Sequence, residues 1–433
     1  MNSQADTQAD TARNGLPPIS ERINVDVVIA GGGIAGSALA CGLRNSGLRV
    51  AVIESRRNPM DTARGDHLQP VVVELLQRWG VLDEFMARGA GKRVGHEFRI
   101  PNGDAAIAAS YDELDLPVPY FVVVDHDKID EWFLEIAQRD AAETLRVIKP
   151  ATVQGITFDD HGVATSVIAQ IIDEGGAERF IEVTGSVFVG ADGMNSVVRA
   201  QSGFAVTETR YRQPMVAMFG SAPAELGRLD YFYRYAGPAG QLVIQPRMGG
   251  TIKVTRPIGS EGIAWWRKSS ADDRAQRLGA VAEVLGGFDG EVSGFYPARR
   301  IEVTSFVRGN VVLVGDAAHA MHPARGQGLN MGIASLGELI DCLPSPSEIA
   351  LVDGADAVVA GLAKYNERVK PQYDQSLAKN HEAAGAMEAS ADGFPEGAWE
   401  GETGFLRMMA GDPALRRAHL LEATGYPFGV PSR

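Results

Sequence analysis

Val25-Asp26-Val27-Val28-Ile29-Ala30 is apolar at nearly consecutive positions and β-branched, the pattern of a parallel strand covered on both faces. Glycines follow at 31, 32, 33 and 36. Small residues from Ser37 to Ser46 then suit a closely packed helix, and Arg49-Val50-Ala51-Val52-Ile53-Glu54 is a second buried run ending in an acid. Strand, glycine turn, helix and strand make one βαβ unit of about 30 residues. Further on, 150–190 alternates apolar and polar positions, notably Val163 to Ile172 and Arg179 to Val183 with Gly175-Gly176 between, which predicts a small antiparallel meander. It closes on another buried run, Ser186 to Gly190. From Gln213 to about Arg300 the β-like stretches lengthen: Met215 to Phe219, Leu229 to Tyr235, Gln241 to Gln245 and Thr251 to Arg256. A period of two sets Tyr231, Tyr233 and Tyr235 on one sheet face. Strand, turn and helix return at Asn310 to Val314 and Leu329 to Leu343. The rest is helix-patterned, with Val358 to Ala384 interrupted by Pro371 and no firm period beyond Gly385.

Composition narrows the function classes. A chain of 433 residues, 45% hydrophobic and 22% charged, predicts two or three globular domains. With 55 acidic and 41 basic residues the net charge is -14, which disfavours nucleic acid and anionic membranes and leaves a small molecule as the default partner. The most apolar window, Val25 to Leu43, is broken by Asp26, Ser37 and five glycines, so no stable membrane insertion is expected. The first 22 residues are polar, without a basic cluster before an apolar run, and read as a disordered tail; a cytoplasmic location follows as the expectation. Cys41 and Cys342 lack the spacing of a redox or metal site and read as buried thiols, with no metal expected.

The first glycine cluster carries chemistry because of its context. Gly31-x-Gly33-x-x-Gly36 stands between strand and helix, and Glu54 lies 21 positions after Gly33, as a dinucleotide fingerprint requires. Gly31 permits the tight turn, Gly33 admits a pyrophosphate to the backbone amides at the positive helix end, and Gly36 lets helix and strand pack closely. Glu54 would accept from a ribose. The plainer reading, glycines that only turn the chain and an acid at a solvated strand end, stands beside it.

Three segments then fall in order: Gly31 to Gly36 with Glu54; Gly190-Ala191-Asp192-Gly193-Met194-Asn195-Ser196-Val197-Val198-Arg199; and Gly315-Asp316-Ala317-Ala318-His319 with Pro323 and Gly326-Gln327-Gly328-Leu329-Asn330. Together, from about Val25 to Arg368 and including Leu362-x-x-Tyr365-x-x-Arg368, they resemble the single-component FAD-dependent aromatic hydroxylases, the para-hydroxybenzoate hydroxylase superfamily. The resemblance implies an α/β fold with a Rossmann-like FAD-binding domain (23–95, 120–205 and 301–345), an antiparallel β-sheet substrate domain (96–119 and 206–300) and a C-terminal helical region (346–433) after the tail at 1–22. It implies that Gly31, Gly33, Ile34, Ala35 and Gly36 hold the FAD pyrophosphate and that Glu54 and Ser55 meet the adenosine ribose. Arg64 contacts the cofactor, Asp192-Gly193 serve FAD and the nicotinamide donor, and Asp316 bonds the ribityl chain. Pro323 and the amides of Gly326, Gln327, Gly328, Leu329 and Asn330 lie along the flavin ring, where they stabilise the charge of the reduced form. The arginine or glutamine usual before the helix of the second crossover is His126 here, and the acid often found after the third motif is Ser335.

The chemistry so implied takes electrons from NAD(P)H, reduces FAD, and transfers oxygen from a flavin hydroperoxide to an aromatic or polyketide-like substrate, in secondary metabolism or degradation. The cofactor does the hard step, so no triad is expected, and the sequence names no catalytic base. His67, His322 and Tyr233 stand as candidates by position, although lone His and Tyr residues are more often structural. His319 reads better as a packing residue. Trp265-Trp266 and the tyrosine stripe could line a pocket or simply pack. A halogenase would need W-x-W-x-I-P, and no two tryptophans here are so spaced. A disulfide reductase would need C-x-x-C and a second dinucleotide fingerprint. A geranylgeranyl-reductase-like enzyme keeps similar motifs and stays open, and a nucleotide sensor would have no use for the Gly326-Gln327-Gly328 turn. Neither the oligomeric state nor the substrate is written in these motifs.

Overall fold

The structure is a computed structural model that describes residues 18–58, 66–99, 107–237, 240–278, 288, 290–394 and 398–426. Its centre is a six-stranded sheet. The buried runs Val27–Ala30, Val50–Ile53, Val187–Gly190 and Val311–Leu313 pair in parallel, joined on one edge by the more exposed strand Leu145–Ile148, and Val307–Arg308 adds an antiparallel edge on the other. Four consecutive buried positions in Val27–Ala30 and in Val50–Ile53 reflect cover on both faces. Helices Ile34–Leu43 and His126–Asp140 pack together beside the sheet, and Gly328–Cys342 packs on Ile34–Leu43. No described helix is long and apolar enough to cross a membrane.

The meander forms as Thr152–Phe158, Ala164–Ile172 and Glu178–Thr184, all antiparallel. The tail expected through residue 22 ends sooner, because Ile19–Asn24 is a strand pairing in parallel with Glu178–Thr184. Its alternating exposure, with Ile19, Glu21 and Ile23 turned inward, is a weak pattern that only the neighbouring edge stabilises. Residues 1–17 lie outside the described residues. The helix expected from Ser37 opens at Ile34, directly on the glycine turn.

A seven-stranded sheet gathers Gly95–Arg99 and Ile107–Ser110 with Met215–Ser221, Tyr231–Gly237, Gly240–Pro246, Thr251–Pro257 and Glu291–Tyr296. It is mixed and not purely antiparallel, since Tyr231–Gly237 runs parallel to Gly95–Arg99. That pairing joins segments some 130 residues apart and has no local signature. Val206–Arg210, expected with this block, pairs instead with Arg299–Val303 in a separate three-stranded sheet.

The C-terminal part departs most from its pattern. Pro371 lies inside one unbroken helix, Gly354–Ala389. Leu362, Tyr365, Val369, Tyr373 and Leu377 recur every three or four residues on both sides of it and are buried, and this packing outweighs the roughly 3 kcal/mol that an internal proline costs. The segment beyond Gly385 carries two further helices, Ala398–Gly411 and Pro413–Ala423. Three glycines weaken the intrinsic helicity of the first, and its Leu406 and Met409 are held by Phe98 and Ile107 of the seven-stranded sheet.

Candidate cofactor and substrate cleft

One cleft of about 890 Å³ runs from the first glycine turn to the inner face of the seven-stranded sheet. Gly31, Gly33, Ile34, Ala35, Glu54, Ser55 and His126 line one end, Asp192, Gly193 and Asp316 its middle, and Pro323, Gly326, Gln327, Gly328 and Leu329 the approach to the sheet. Arg64 lies outside the described residues. Gly36 and Asn330 are absent from the lining and act behind it.

Close packing makes the glycines necessary. Gly31 has φ +103°, and a Cβ there would stand 2.3 Å from the Ala191 carbonyl oxygen. On Gly36 it would stand 1.9 Å from the carbonyl oxygen of Gly31 itself, so Gly36 seats the helix on the turn. At Gly33 the added atom would meet only Arg56 Nη2 at 3.6 Å, which leaves that side open to the cleft. Helix Ile34–Leu43 has no side-chain cap, so its first amides are available to an anion.

Glu54 is buried and already engaged. Its Oε2 accepts from Gly32 N at 2.7 Å, and its Oε1 from Arg56 N and Nε at 2.7 and 3.0 Å, with spare lone pairs for a ribose. Arg56 also donates to Asp130 Oδ2 at 3.0 Å. Burial pushes the Asp130 carboxyl above its ordinary range while Arg56 pulls it down. Sequence reasoning missed both residues, for which the local signal is only an arginine two positions after the acid.

The second and third motifs brace one another. Asp192 receives Val197 N at 2.7 Å and Val198 N at 3.1 Å, and Ser196 Oγ besides, so its carboxylate organises its own turn. Arg199 donates to the carbonyls of Ala317 and Met194 at 2.8 and 2.7 Å. Gly315, at φ +56°, brings Asp316 against the first motif, where a Cβ would stand 2.8 Å from that of Ala35. Helix Gly328–Cys342 begins at Gln327 without a side-chain cap. Asn330 is a staple: its Oδ1 accepts from Gln69 N at 2.7 Å, and its Nδ2 donates to the carbonyls of His67 and Gly326 at 3.0 and 3.1 Å.

The base candidates resolve on geometry. Tyr233 spends its hydroxyl on the backbone carbonyls of Leu226 and Arg228, and burial pushes it up to about 12. His322 accepts from Ala324 N at 3.1 Å and lies edge-on to Tyr211, with burial pulling it down to about 4. His319 packs between Phe306 and Tyr373, has no hydrogen-bond partner among the described residues, and is not in the lining. His67 alone joins the two walls. Its Nδ1 lies 2.9 Å from Gln245 Nε2 on the sheet, and its Nε2 would be 2.7 Å from a Cβ on Gly326. Burial pulls it down to about 4, so it is a neutral hydrogen-bonding group at pH 7. Behind it Lys253 Nζ pairs with Asp66 Oδ2 at 2.9 Å, and Arg247 reaches Asp66 at 3.4 Å and Asp125 at 3.3 Å, all four drawn into one ionic cluster.

Trp266 and the tyrosine stripe pack on the outer face of the sheet. Its inner face supplies the cleft through alternate residues, Gln245 and Lys253 in one register pair and Val243 and Thr255 in the next. Polar residues alternating with buried Leu242, Ile244, Ile252 and Val254 were the available signal for an inward polar face.

Two uncapped helix starts on one elongated cleft, with glycines where any side chain would collide, suit a dinucleotide with a ring at its far end, and the volume fits a ligand of that class. The fold and cleft define a flavin-dependent oxidoreductase. Residues 24–377 match the FAD binding domain family. The chain belongs to that family, among the FAD-dependent aromatic hydroxylases, and is an FAD-dependent monooxygenase. Ubiquinone hydroxylase of Rhodospirillum rubrum is 25% identical over 351 residues, covering 77% of this chain and 76% of that one. The 3-demethoxyubiquinol 3-hydroxylase of Escherichia coli is 26% identical, covering 73% of this chain and 79% of its own. In fold, the chain superposes on p-nitrophenol 4-monooxygenase of Pseudomonas putida with a TM-score of 0.74 at 20% identity, over 93% of this chain and 98% of that one.

Proposed function

We propose that this enzyme hydroxylates an aromatic or polyketide-like small molecule in the cytoplasm, using NAD(P)H and molecular oxygen. The observation that carries the reading is the single cleft joining the glycine turn at Gly31–Gly36 to the ring turn at Gly326 and on to the sheet face. In it, segments 23–95, 120–205 and 301–345 form the cofactor lobe and 96–119 with 206–300 the substrate lobe. The amides that open helix Ile34–Leu43 hold the diphosphate of FAD, Glu54 and Ser55 its ribose, and Asp316 its ribityl chain. Asp192 and Gly193 shape the middle of that path, with His126 at its adenosine end. FAD held there would supply the two-electron transfer from NAD(P)H to dioxygen, one atom of which enters the substrate while the other leaves as water.

The protein's part is placement and electrostatics. The amides of Gly328 and Leu329, at the positive end of helix Gly328–Cys342, stabilise negative charge at the ring edge without a titrating side chain. Phe98, Phe232, Val243 and Met387 keep the substrate end apolar and exclude water. His67, neutral at pH 7, fixes the ring turn relative to the sheet. The test is turnover of phenols, quinolones and polyketides by the FAD-loaded enzyme under ¹⁸O₂, with product mass as readout. Incorporation of one labelled oxygen supports the reading. Oxygen-independent saturation of a double bond would replace it with reductase chemistry.

A further inference from the structure

The substrate end of the cleft is covered by the last two helices described. Helix Ala398–Gly411 and helix Pro413–Ala423 pack together, beyond the residues 24–377 that match the FAD binding domain family. His419, Glu422 and Ala423 of the second helix line the cleft. The His419 ring stands edge-on to that of Phe98, centroids 5.5 Å apart, and so lies over the apolar floor to which Phe98 and Val243 belong.

This cover is lightly held. Helix Ile34–Leu43 buries seven of its ten residues, whereas helix Pro413–Ala423 buries one of its eleven, Leu420, and helix Ala398–Gly411 reaches the sheet chiefly through Leu406 and Met409. Elements with so few buried apolar contacts open locally far more readily than the core. The remaining contacts are ionic and reach both walls. Glu422 joins Arg325 of the ring turn at 2.9 Å and Lys379 of helix Gly354–Ala389 at 2.7 Å. Arg416 joins Glu113 Oε2 at 3.0 Å, three residues past strand Ile107–Ser110, and Glu402 faces Arg234 of the sheet at 3.9 Å. The side chains of Glu113, Lys379 and Glu422 are each more than a third exposed, so water replaces these contacts readily when they part.

We infer that these two helices form a lid over the substrate end of the cleft, latched at Glu422 and Glu113, and that the substrate enters and leaves when the lid lifts. The inference rests on the oxygenase reading for what the chamber admits. The lid meets the sheet through Leu406 and Glu402 and the ring turn through Glu422, so it closes only when both walls stand in place. Closed, it keeps water from the apolar chamber during the reaction. Its latches are ion pairs between partly exposed groups, and salt weakens them.

The test is thiol labelling inside the chamber. Val243→Cys places a thiol on the cleft lining, while the native Cys41 and Cys342 are both buried. The FAD-saturated variant is treated with methyl methanethiosulfonate, a small neutral reagent, and followed by intact mass, with the unsubstituted protein as blank. A lid open about 0.1–10% of the time should slow labelling about 10- to 1000-fold relative to free cysteine. Adding Glu113→Gln and Glu422→Gln should speed it about ten-fold. Hydrogen exchange of residues 400–423 should quicken by a similar factor, while that of Val187–Gly190 in the central sheet does not change. Labelling as fast as that of free cysteine overturns the inference. So does a labelling rate that the two latch substitutions leave unchanged, or exchange of residues 400–423 as slow as that of Val187–Gly190. If Val243→Cys does not take up FAD, Thr255→Cys, also in the lining, carries the same test. Neither readout involves turnover, so failure here is distinct from failure of the oxygenase reading.

Discussion

The two walls of the cleft are built from different materials. The cofactor wall is backbone: glycine turns pressed to within van der Waals limits of neighbouring carbonyls, and helix starts without side-chain caps. The opposite wall is side chain: alternate residues of strands drawn from distant parts of the sequence, with charged groups held in a buried ionic cluster behind them. Backbone donors recognise a group common to a whole family and leave a local sequence signature. Side chains on a sheet face distinguish one substrate from another and leave almost none.

That contrast is broken most severely at the cofactor wall. Gly36→Val would drive a side chain into the Gly31 carbonyl, which only opening the turn relieves, and FAD affinity should fall by more than about 100-fold, near 3 kcal/mol, by fluorescence titration. Of similar size is the effect expected at the cluster behind the substrate wall. Asp66→Ala removes the carboxylate that Lys253 and Arg247 share in the interior and should cost about 3–5 kcal/mol in urea unfolding. The pin of the ring turn comes third: Asn330→Ala removes three hydrogen bonds, two of them buried, and should cost about 2–3 kcal/mol, with a loosened ring turn seen as faster FAD dissociation.

Acid should weaken the fold through its buried imidazoles. His319 is pulled down to about 3 by burial, against an unfolded value near 6.5. Above pH 6.5 both states are neutral and its contribution is fully present; as pH falls from 6.5 towards 3 only the unfolded chain takes the proton. Well below 6.5 its share approaches about 1.4 kcal/mol lost per pH unit, so His319→Phe should flatten the slope of stability between pH 5.5 and 4.5 by about that amount. The smallest effect is expected at Tyr233, whose hydroxyl serves backbone carbonyls. Tyr233→Phe should cost roughly 1 kcal/mol of stability and leave the pH profile of kcat unmoved, which separates a wall-building tyrosine from a catalytic one.

The same contrast explains what was legible in the sequence. Val27–Ala30, Val50–Ile53 and the turn between them could be read because buried parallel strands and glycine spacing are local patterns. Ile19–Asn24 could not, since its strand exists only by pairing with residues some 160 positions away. Neither could Ala398–Gly411, whose glycines argue against a helix that packing with Phe98 and Ile107 stabilises. In the cleft, Gly31, Asp192, Asp316 and Gly326 were visible in their motifs. Arg56, Asp130, Gln245, Lys253 and Arg234 were not, because what makes each a cleft residue is a neighbour supplied by folding.

One comparison of dissociation constants tests most directly that a single extended ligand lies across both turns. FAD and ADP are titrated into the unaltered protein and into Gly326→Val, whose side chain would meet His67 at the ring turn while the diphosphate turn stays untouched. FAD should bind at least about 100-fold tighter than ADP, and Gly326→Val should erase that advantage while leaving ADP affinity within a factor of about two. Equal affinities for ADP and FAD in the unaltered protein, or a loss of ADP binding as large as that of FAD in the variant, would contradict the account.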